Sequence, residues 1–166
     1  MKPQEQEFTT LIQQHERLVY KVCSLYAADA EDLKDLFQEI VLQAWSGYTR
    51  FRNESAISTW LYRVALNTAI THKRKKSRQL GSPVADMQLL HVADASSQAY
   101  AEEYAILQKL VGSLPPLEKA LILLYFEDRS YQEIADIMGI SVSNVGTRLA
   151  RIKEKLKKQA QPFITQ

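Results

Sequence analysis

Ser130 to Lys155 reads SYQEIADIMGISVSNVGTRLARIKEK, and its spacing predicts two helices joined by a tight turn, the second of them basic. Ser130 followed by Glu133 has the form of a capping box, in which each side chain satisfies a free amide of the first turn. Ile134, Ile137 and Met138 recur at helical spacing, and Ala135 is small enough for another helix to cross closely. Gly139 supplies the permissive backbone that a sharp turn needs. Ser141 can cap the second helix, in which Val142, Val145, Leu149, Ile152 and Leu156 form an inward stripe. Ser143, Asn144, Thr147, Arg148, Arg151 and Lys153 then remain outside. Short polar groups at the start and arginines further along suit a helix lying in a major groove, with donors for base edges and cations for phosphates. An ordinary helical hairpin with a solvated basic face satisfies the same pattern.

The rest of the chain is patterned for helices too, so the fold expected is all-α. From Glu5 to about Ala27, Phe8, Leu11, Ile12, Leu18, Val19, Val22, Leu25 and Tyr26 keep helical spacing, which predicts a first helix. Asp29 to Trp45 is a second, with Asp29, Glu31, Asp32 and Asp35 at the end where the helix dipole favours negative charge. Its apolar stripe, Leu33, Leu36, Phe37, Ile40, Val41 and Ala44, is wider than one partner helix needs, and Asp32, Asp35, Gln38, Glu39 and Gln43 are expected outside. Ser46 to Glu54 is a connecting loop rich in arginine and aromatic groups, and Ser55 to about Lys75 a third helix. That helix ends in HKRKKSR, residues 72–78, with more cations than a helix C-terminus requires, which points to phosphate binding. Residues 79–98, opened by Gly81, Ser82 and Pro83, read as a linker with at most a helical turn around Met87–Leu90. A helix from about Ala99 to Gly112 stops at Leu114-Pro115-Pro116, and Leu117 to Phe126 is a short, very apolar one. The expected organisation is a domain over 1–78, a flexible linker over 79–98 and a helix-turn-helix domain over 99–166.

Net charge is only +2, but its distribution is uneven. Residues 1–60 carry six Lys/Arg against nine Asp/Glu, and residues 138–166 carry six against one. Such alternation suits one acidic docking surface beside anionic ligands, although a mixed solvated surface has it too. The lone Cys23 permits no intrachain disulfide and sits in an apolar pattern, so it reads as core in a reducing compartment. No apolar run is long enough to span a membrane and the amino terminus lacks an apolar leader, so no membrane insertion is expected and the location expected is cytoplasmic. His15, His72 and His91 have no metal-ligand spacing, and no glycine pattern cradles phosphate. No catalytic residue, metal or cofactor is expected, and an enzyme is disfavoured.

Three motifs in order resemble those of bacterial RNA polymerase sigma factors of the sigma-70 family, in the compact extracytoplasmic-function (ECF) type. DLKDLFQEIVLQAW from Asp32 to Trp45 resembles the family's DLxQExFLxAW helix. FRNES from Phe51, followed by TWLYRVALN from Thr59 to Asn67, resembles FRxxSxxxTWLYRIAxN. Leu114-Pro115 and the stretch Tyr131 to Arg151 resemble the family's LPxxxR and YxEIAxxxGxSxGTVKSRLxRA. The resemblance implies that the Asp29–Trp45 helix, with Asp32, Asp35, Leu36, Gln38, Glu39 and Gln43, docks on the clamp helices of the polymerase's largest subunit. It assigns the opened −10 promoter element to Arg50, Phe51, Arg52, Asn53, Ser55, Trp60, Arg63, Asn67, Lys73, Arg74, Lys75 and Lys76. Phe51 and Trp60 can stack on bases there, or Trp60 can pack in the core with Val64. The −35 duplex falls to Ser141, Ser143, Asn144, Thr147, Arg148, Arg151 and Lys153. Core polymerase, including the flap of its second-largest subunit, promoter DNA and an anti-sigma protein are the implied partners. Two departures stand out: Gly146 where the family has lysine, and Lys119 where arginine is common. The alternatives from the residues are a stand-alone helix-turn-helix regulator, with the first 80 residues dimerising or sensing, and a pure protein-interaction adaptor.

Overall fold

A computed structural model describes residues 2–51, 53–80 and 98–164. Helices are the regular elements among the described residues: α1 (Pro3–Gln14), α2 (Glu16–Tyr26), α3 (Ala30–Tyr48), α4 (Ile57–Leu80), α5 (Gln98–Gly112), α6 (Pro116–Phe126), α7 (Tyr131–Met138) and α8 (Val142–Ile164). The chain divides into two compact units, Met1–Met87 and Gln88–Gln166.

In the first unit, α2, α3 and α4 pack on one another and α1 lies against α2 and α3. Val19, Val22, Cys23 and Tyr26 of α2, Leu36, Ile40 and Ala44 of α3 and Leu61, Ala65 and Ala69 of α4 are all fully buried and form the centre of this unit. Each large aliphatic group buried there contributes about 1.5–3 kcal/mol. Local chemistry starts α3: the Asp29 carboxylate accepts from the Asp32 amide at 2.8 Å, and Glu31 and Asp32 follow in the first turn.

The single first helix expected over 5–27 is two helices. His15 leaves helical geometry (φ −114°, ψ 20°), and its amide is shared between the carbonyls of Leu11 and Ile12 at 3.1 and 3.2 Å. Its ring Nδ1 donates to the Leu11 carbonyl as well, at 3.0 Å. The sequence between Ile12 and Leu18, QQHER, carries no apolar group. With nothing anchoring that turn to the core, the chain breaks there and re-aims α2.

The second unit packs α5, α6, α7 and α8 around Val111, Leu121, Leu124, Ile134, Val145, Leu149 and Ile152. The capping box of α7 forms, with the Glu133 amide donating to Ser130 Oγ at 3.1 Å and the Ser130 amide to Glu133 Oε1 at 3.3 Å. Gly139 closes α7 in the left-handed region (φ 70°, ψ 34°), where a Cβ would be strained. The inward stripe of α8 is shorter than expected. Val145, Leu149 and Ile152 are buried, but Val142 is exposed in the first turn and Leu156 is half-buried. Lys119 is fully buried in α6.

The middle of the expected 79–98 linker, with the helical turn at 87–90, lies outside the described residues. Its ends are helical, since α4 runs to Leu80 and α5 starts at Gln98.

Candidate nucleic-acid interface

The face of α3 differs from the expected one in a specific way. Asp32 is only 3% exposed. Its carboxylate accepts from the Ala28 amide at 2.9 Å and from His72 Nε2 at 2.8 Å, and pairs with Lys76 of α4. His72 Nδ1 reaches Glu39 Oε2 at 3.0 Å. Each ring nitrogen of His72 thus faces a carboxylate oxygen. Burial pushes the Asp32 carboxyl up, but hydrogen bonds from Lys76, the Ala28 amide and His72 outweigh it and hold the pKa below its ordinary value. Asp32 is therefore a clamp between α3 and α4, not part of an outward face. Leu36 is fully buried as well, because it sits one helical turn from Asp32 on the core side. Asp35, Gln38 and Gln43 are exposed as expected, and Glu39 is half-buried against His72. Leu42, outside the expected set, is 67% exposed. It continues the Asp35, Gln38 stripe at spacings of three and four, a signal the sequence carried.

Beyond the end of α3 the chain forms an open pocket of about 490 Å³, lined by Gly47, Arg50, Phe51, Glu54, Ser55, Trp60 and Arg63. Phe51 and Trp60 stand 5.1 Å apart, tilted by 38°, so Trp60 is half-buried in the pocket wall and packs on Phe51 and Tyr48. Asn53 turns the loop in the left-handed region at φ 57°, a conformation asparagine tolerates better than most residues. Arg52 lies outside the described residues.

From this pocket a polar stripe runs along α4 at helical spacing: Arg63, Asn67, Thr71, Arg74 and Arg78, with Lys75 beside it. All but the half-buried Arg63 are exposed. Lys73 and Lys76 belong to the opposite face. They continue the inward series Leu66, Ala69, which sends them toward the core side of α4. Lys73 is 9% exposed. Burial lowers its pKa, with the Asp32 charge offsetting part of the effect. The Lys76 ammonium is raised by its hydrogen bond to Asp32. The expected phosphate-binding run thus splits, with Arg74, Lys75 and Arg78 turned to solvent and Lys73 and Lys76 turned inward.

In the second unit, the turn at Gly139 and Ile140 delivers α8 with its polar first turn outward. Ser141 Oγ accepts from the Asn144 amide at 3.1 Å, so Ser141 serves as the cap. Thr147 Oγ1 donates to the Ser143 carbonyl at 3.1 Å, and Arg148 Nε donates to Asn144 Oδ1 at 3.0 Å. Arg148 and Arg151 are exposed on one side of the helix. Lys153 is not with them. Five positions from Arg148 on a 3.6-residue helix, it faces α6, with its ammonium 4.0 Å from the centre of the Tyr125 ring. Lys158 is exposed nearer the arginine side. A Cβ added at Gly146 would stand 3.7 Å from the Tyr131 ring, in ordinary contact.

Two family comparisons cover both units: sigma-70 region 2 matches residues 11–79, and sigma-70 region 4 matches residues 104–156. The chain belongs to the sigma-70 family of RNA polymerase sigma factors. Within the family it is homologous to the ECF and related factors. It is 29% identical over 169 residues to the RNA polymerase sigma-H factor of Pseudomonas aeruginosa, covering 95% of this chain and 88% of that one. It is 29% identical over 177 residues to the ECF RNA polymerase sigma-E factor of Escherichia coli K12, covering 98% and 91%. Two solved structures share the fold. The sigma factor RpoE of Bartonella quintana, solved with the anti-sigma factor NepR, matches at TM-score 0.76 and 19% identity over 93% of this chain and 97% of its own. CnrH, solved with the cytosolic domain of CnrY, matches at TM-score 0.65 and 22% identity over 93% and 87%.

Proposed function

We propose that this chain is a dissociable specificity subunit which binds core RNA polymerase, opens a promoter at its −10 element and reads the −35 element as duplex. It performs no chemistry of its own. The observation that carries this reading is the pocket of Arg50, Phe51, Trp60 and Arg63 beside the exposed Asn67, Arg74, Lys75 and Arg78 of α4. Aromatic walls take an unstacked base, and a row of cations tracks a single strand. A regulator that reads only duplex DNA has no use for either, so the stand-alone reading loses ground.

Asn53 and Ser55 stand at the rim and wall of the same loop, with hydrogen-bonding groups for a base edge. In the second unit, Ser143, Asn144, Thr147, Arg148 and Arg151 meet the −35 duplex, the arginines at guanine or phosphate. Lys153 is set aside for a packing role on Tyr125. Docking on the clamp helices falls to Asp35, Gln38, Leu42 and Gln43, an acidic and apolar stripe suited to a basic helical partner. The exposed Leu117 and Phe126 of α6 offer apolar contact to the flap of the second-largest subunit. The two structural neighbours were solved with an anti-sigma factor or with a cytosolic partner domain, and an anti-sigma protein covering these faces is the expected regulator. The place of action is the cytoplasm, and no described helix is long and apolar enough to cross a membrane.

The test is transcription in vitro with a cognate core enzyme. The chain should direct initiation from a restricted promoter set and make the −10 region permanganate-reactive, and Trp60→Ala should abolish the reactivity while leaving polymerase binding intact. Specific binding to symmetric duplex sites without polymerase, and no promoter-dependent transcript, would establish the stand-alone regulator instead.

A further inference from the structure

The pocket wall is not supported by its own loop alone. Phe51 rests on Trp60, and Trp60 on Tyr48 at 6.4 Å. Tyr48 is the last residue of α3, a position where a helix end frays unless something holds it. Within α3 the Trp45 ring stacks on Tyr48 at 6.5 Å, and the hold from outside the helix comes from α1. The Phe8 ring lies 5.3 Å from Tyr48 and 5.0 Å from Trp45, and Phe8 is the buried residue of that helix. Gly47 adds a further condition, since the Trp60 ring edge lies 3.5 Å from where a Cβ would stand. Trp60 therefore lies close over the α3 backbone, and its tilt follows the position of α3's last turn. Phe8 precedes residue 11, where the region 2 match begins.

We infer that Phe8 is a positioning residue for the base pocket: through Tyr48 it fixes the Trp60 and Phe51 rings at the separation and tilt that accept one unstacked base. Phe8 touches no nucleic acid itself. The chain of rings Phe8, Tyr48, Trp60, Phe51 makes α1 part of the strand-opening apparatus, although α1 lies outside the pocket. Each ring contact is tilted rather than face to face, the arrangement aromatic quadrupoles prefer, so exchanging Phe8 for an aliphatic group of similar bulk loses orientation more than volume. The inference rests on the pocket holding a base, as proposed above.

The experiment uses the full chain in holoenzyme on a promoter found to support initiation, with a single abasic nucleotide scanned along the non-template strand of the opened segment. For each protein the reading is the ratio of open-complex formation on intact DNA to that on abasic DNA. This ratio does not depend on the folded or active fraction. Wild type should show one position where base removal costs about five- to hundredfold, the range of base–aromatic stacking. Phe8→Leu should shrink that ratio by about threefold or more and at most to unity, the scale of an oriented aromatic pair, and leave other positions unchanged. Phe8→Tyr should restore it. If Phe8→Leu keeps the wild-type ratio, or lowers the ratio equally at every position, the positioning role is overturned while the pocket stands. If wild type has no abasic-sensitive position, the pocket does not hold a base and both readings fall. Should Phe8→Leu be too unstable to purify, Phe8→Met gives the same ratio with a more adaptable side chain.

Discussion

Asp32 is the residue whose surroundings say most about how the first unit holds together. It is surrounded by an amide, an imidazole and an ammonium, and it joins the start of α3 to the far end of α4. Because its folded pKa lies below the ordinary 3.8, its contribution is fully present above 3.8. That contribution is lost as pH falls through the lower folded value. Asp32→Asn should therefore cost about 1–3 kcal/mol of unfolding free energy at pH 7, the penalty for leaving buried donors poorly matched. The difference between variant and wild type should shrink in urea melts below pH 3.8. A constant difference down to pH 2 would mean that packing, not charge, accounts for the loss. Cys23 sits beside the same carboxylate: burial, with the Asp32 charge adding to it, pushes its thiol up to about 12. Both facts mark this end of the helix as interior, although its sequence is among the most acidic in the chain.

At the scale of elements, α8 carries a glycine that its packing does not require. Gly146 costs the helix about 1 kcal/mol relative to alanine, yet the space beside it accepts a Cβ 3.7 Å from Tyr131. Gly146→Ala should raise the stability of the second unit by about 1 kcal/mol in chemical denaturation, since its backbone is helical rather than left-handed. Gly146→Lys should in addition strengthen duplex binding and steepen its salt dependence by about 0.9 in log–log slope, one added phosphate contact. No change in slope would put position 146 away from the DNA. Gly139 is the opposite case. Its positive φ makes glycine necessary, and no gain follows from replacing it. α4 shows how one helix divides a run of like charges. The same 3.6-residue period that buries Leu66 and Ala69 carries Lys73 and Lys76 inward, and it leaves Arg74, Lys75 and Arg78 outside.

For the whole molecule, there are two units with separate cores, and the proposal gives each its own nucleic-acid face and the first the polymerase stripe as well. The decisive measurement there is a pull-down on core polymerase with Asp35→Lys combined with Leu42→Asp. Both side chains are exposed, so the variant should keep its fold and lose polymerase binding by tenfold or more, about 1.4 kcal/mol. Retained binding would keep the function but move the interface off this stripe. Reversing Glu39 is a poorer test, because Glu39 also holds His72. A second measurement belongs at the same scale: Arg148→Ala and Arg151→Ala should each lower the salt slope of −35 duplex binding by about 1, leaving permanganate reactivity of the opened element to the first unit.

The amino-acid sequence by itself determined the helical class, the helix-turn-helix with its capping box and its left-handed glycine, and the family, through motifs in order. These are local properties: caps, turn residues and apolar periods act within one or two helical turns, so they can be read without knowing what packs where. The direction in which each polar side chain points was legible only in part. Continuing the period of α4 from Leu66 would have sent Lys73 and Lys76 inward, and continuing that of α3 from Asp35 would have found Leu42. That Asp32 pairs across forty residues with His72, that the chain breaks at His15, and that Phe8 connects through Tyr48 to the Trp60–Phe51 pair were contacts and bends set by the tertiary structure. Each depends on which faces of separate helices meet, and a contact between distant segments leaves no periodic trace in either one.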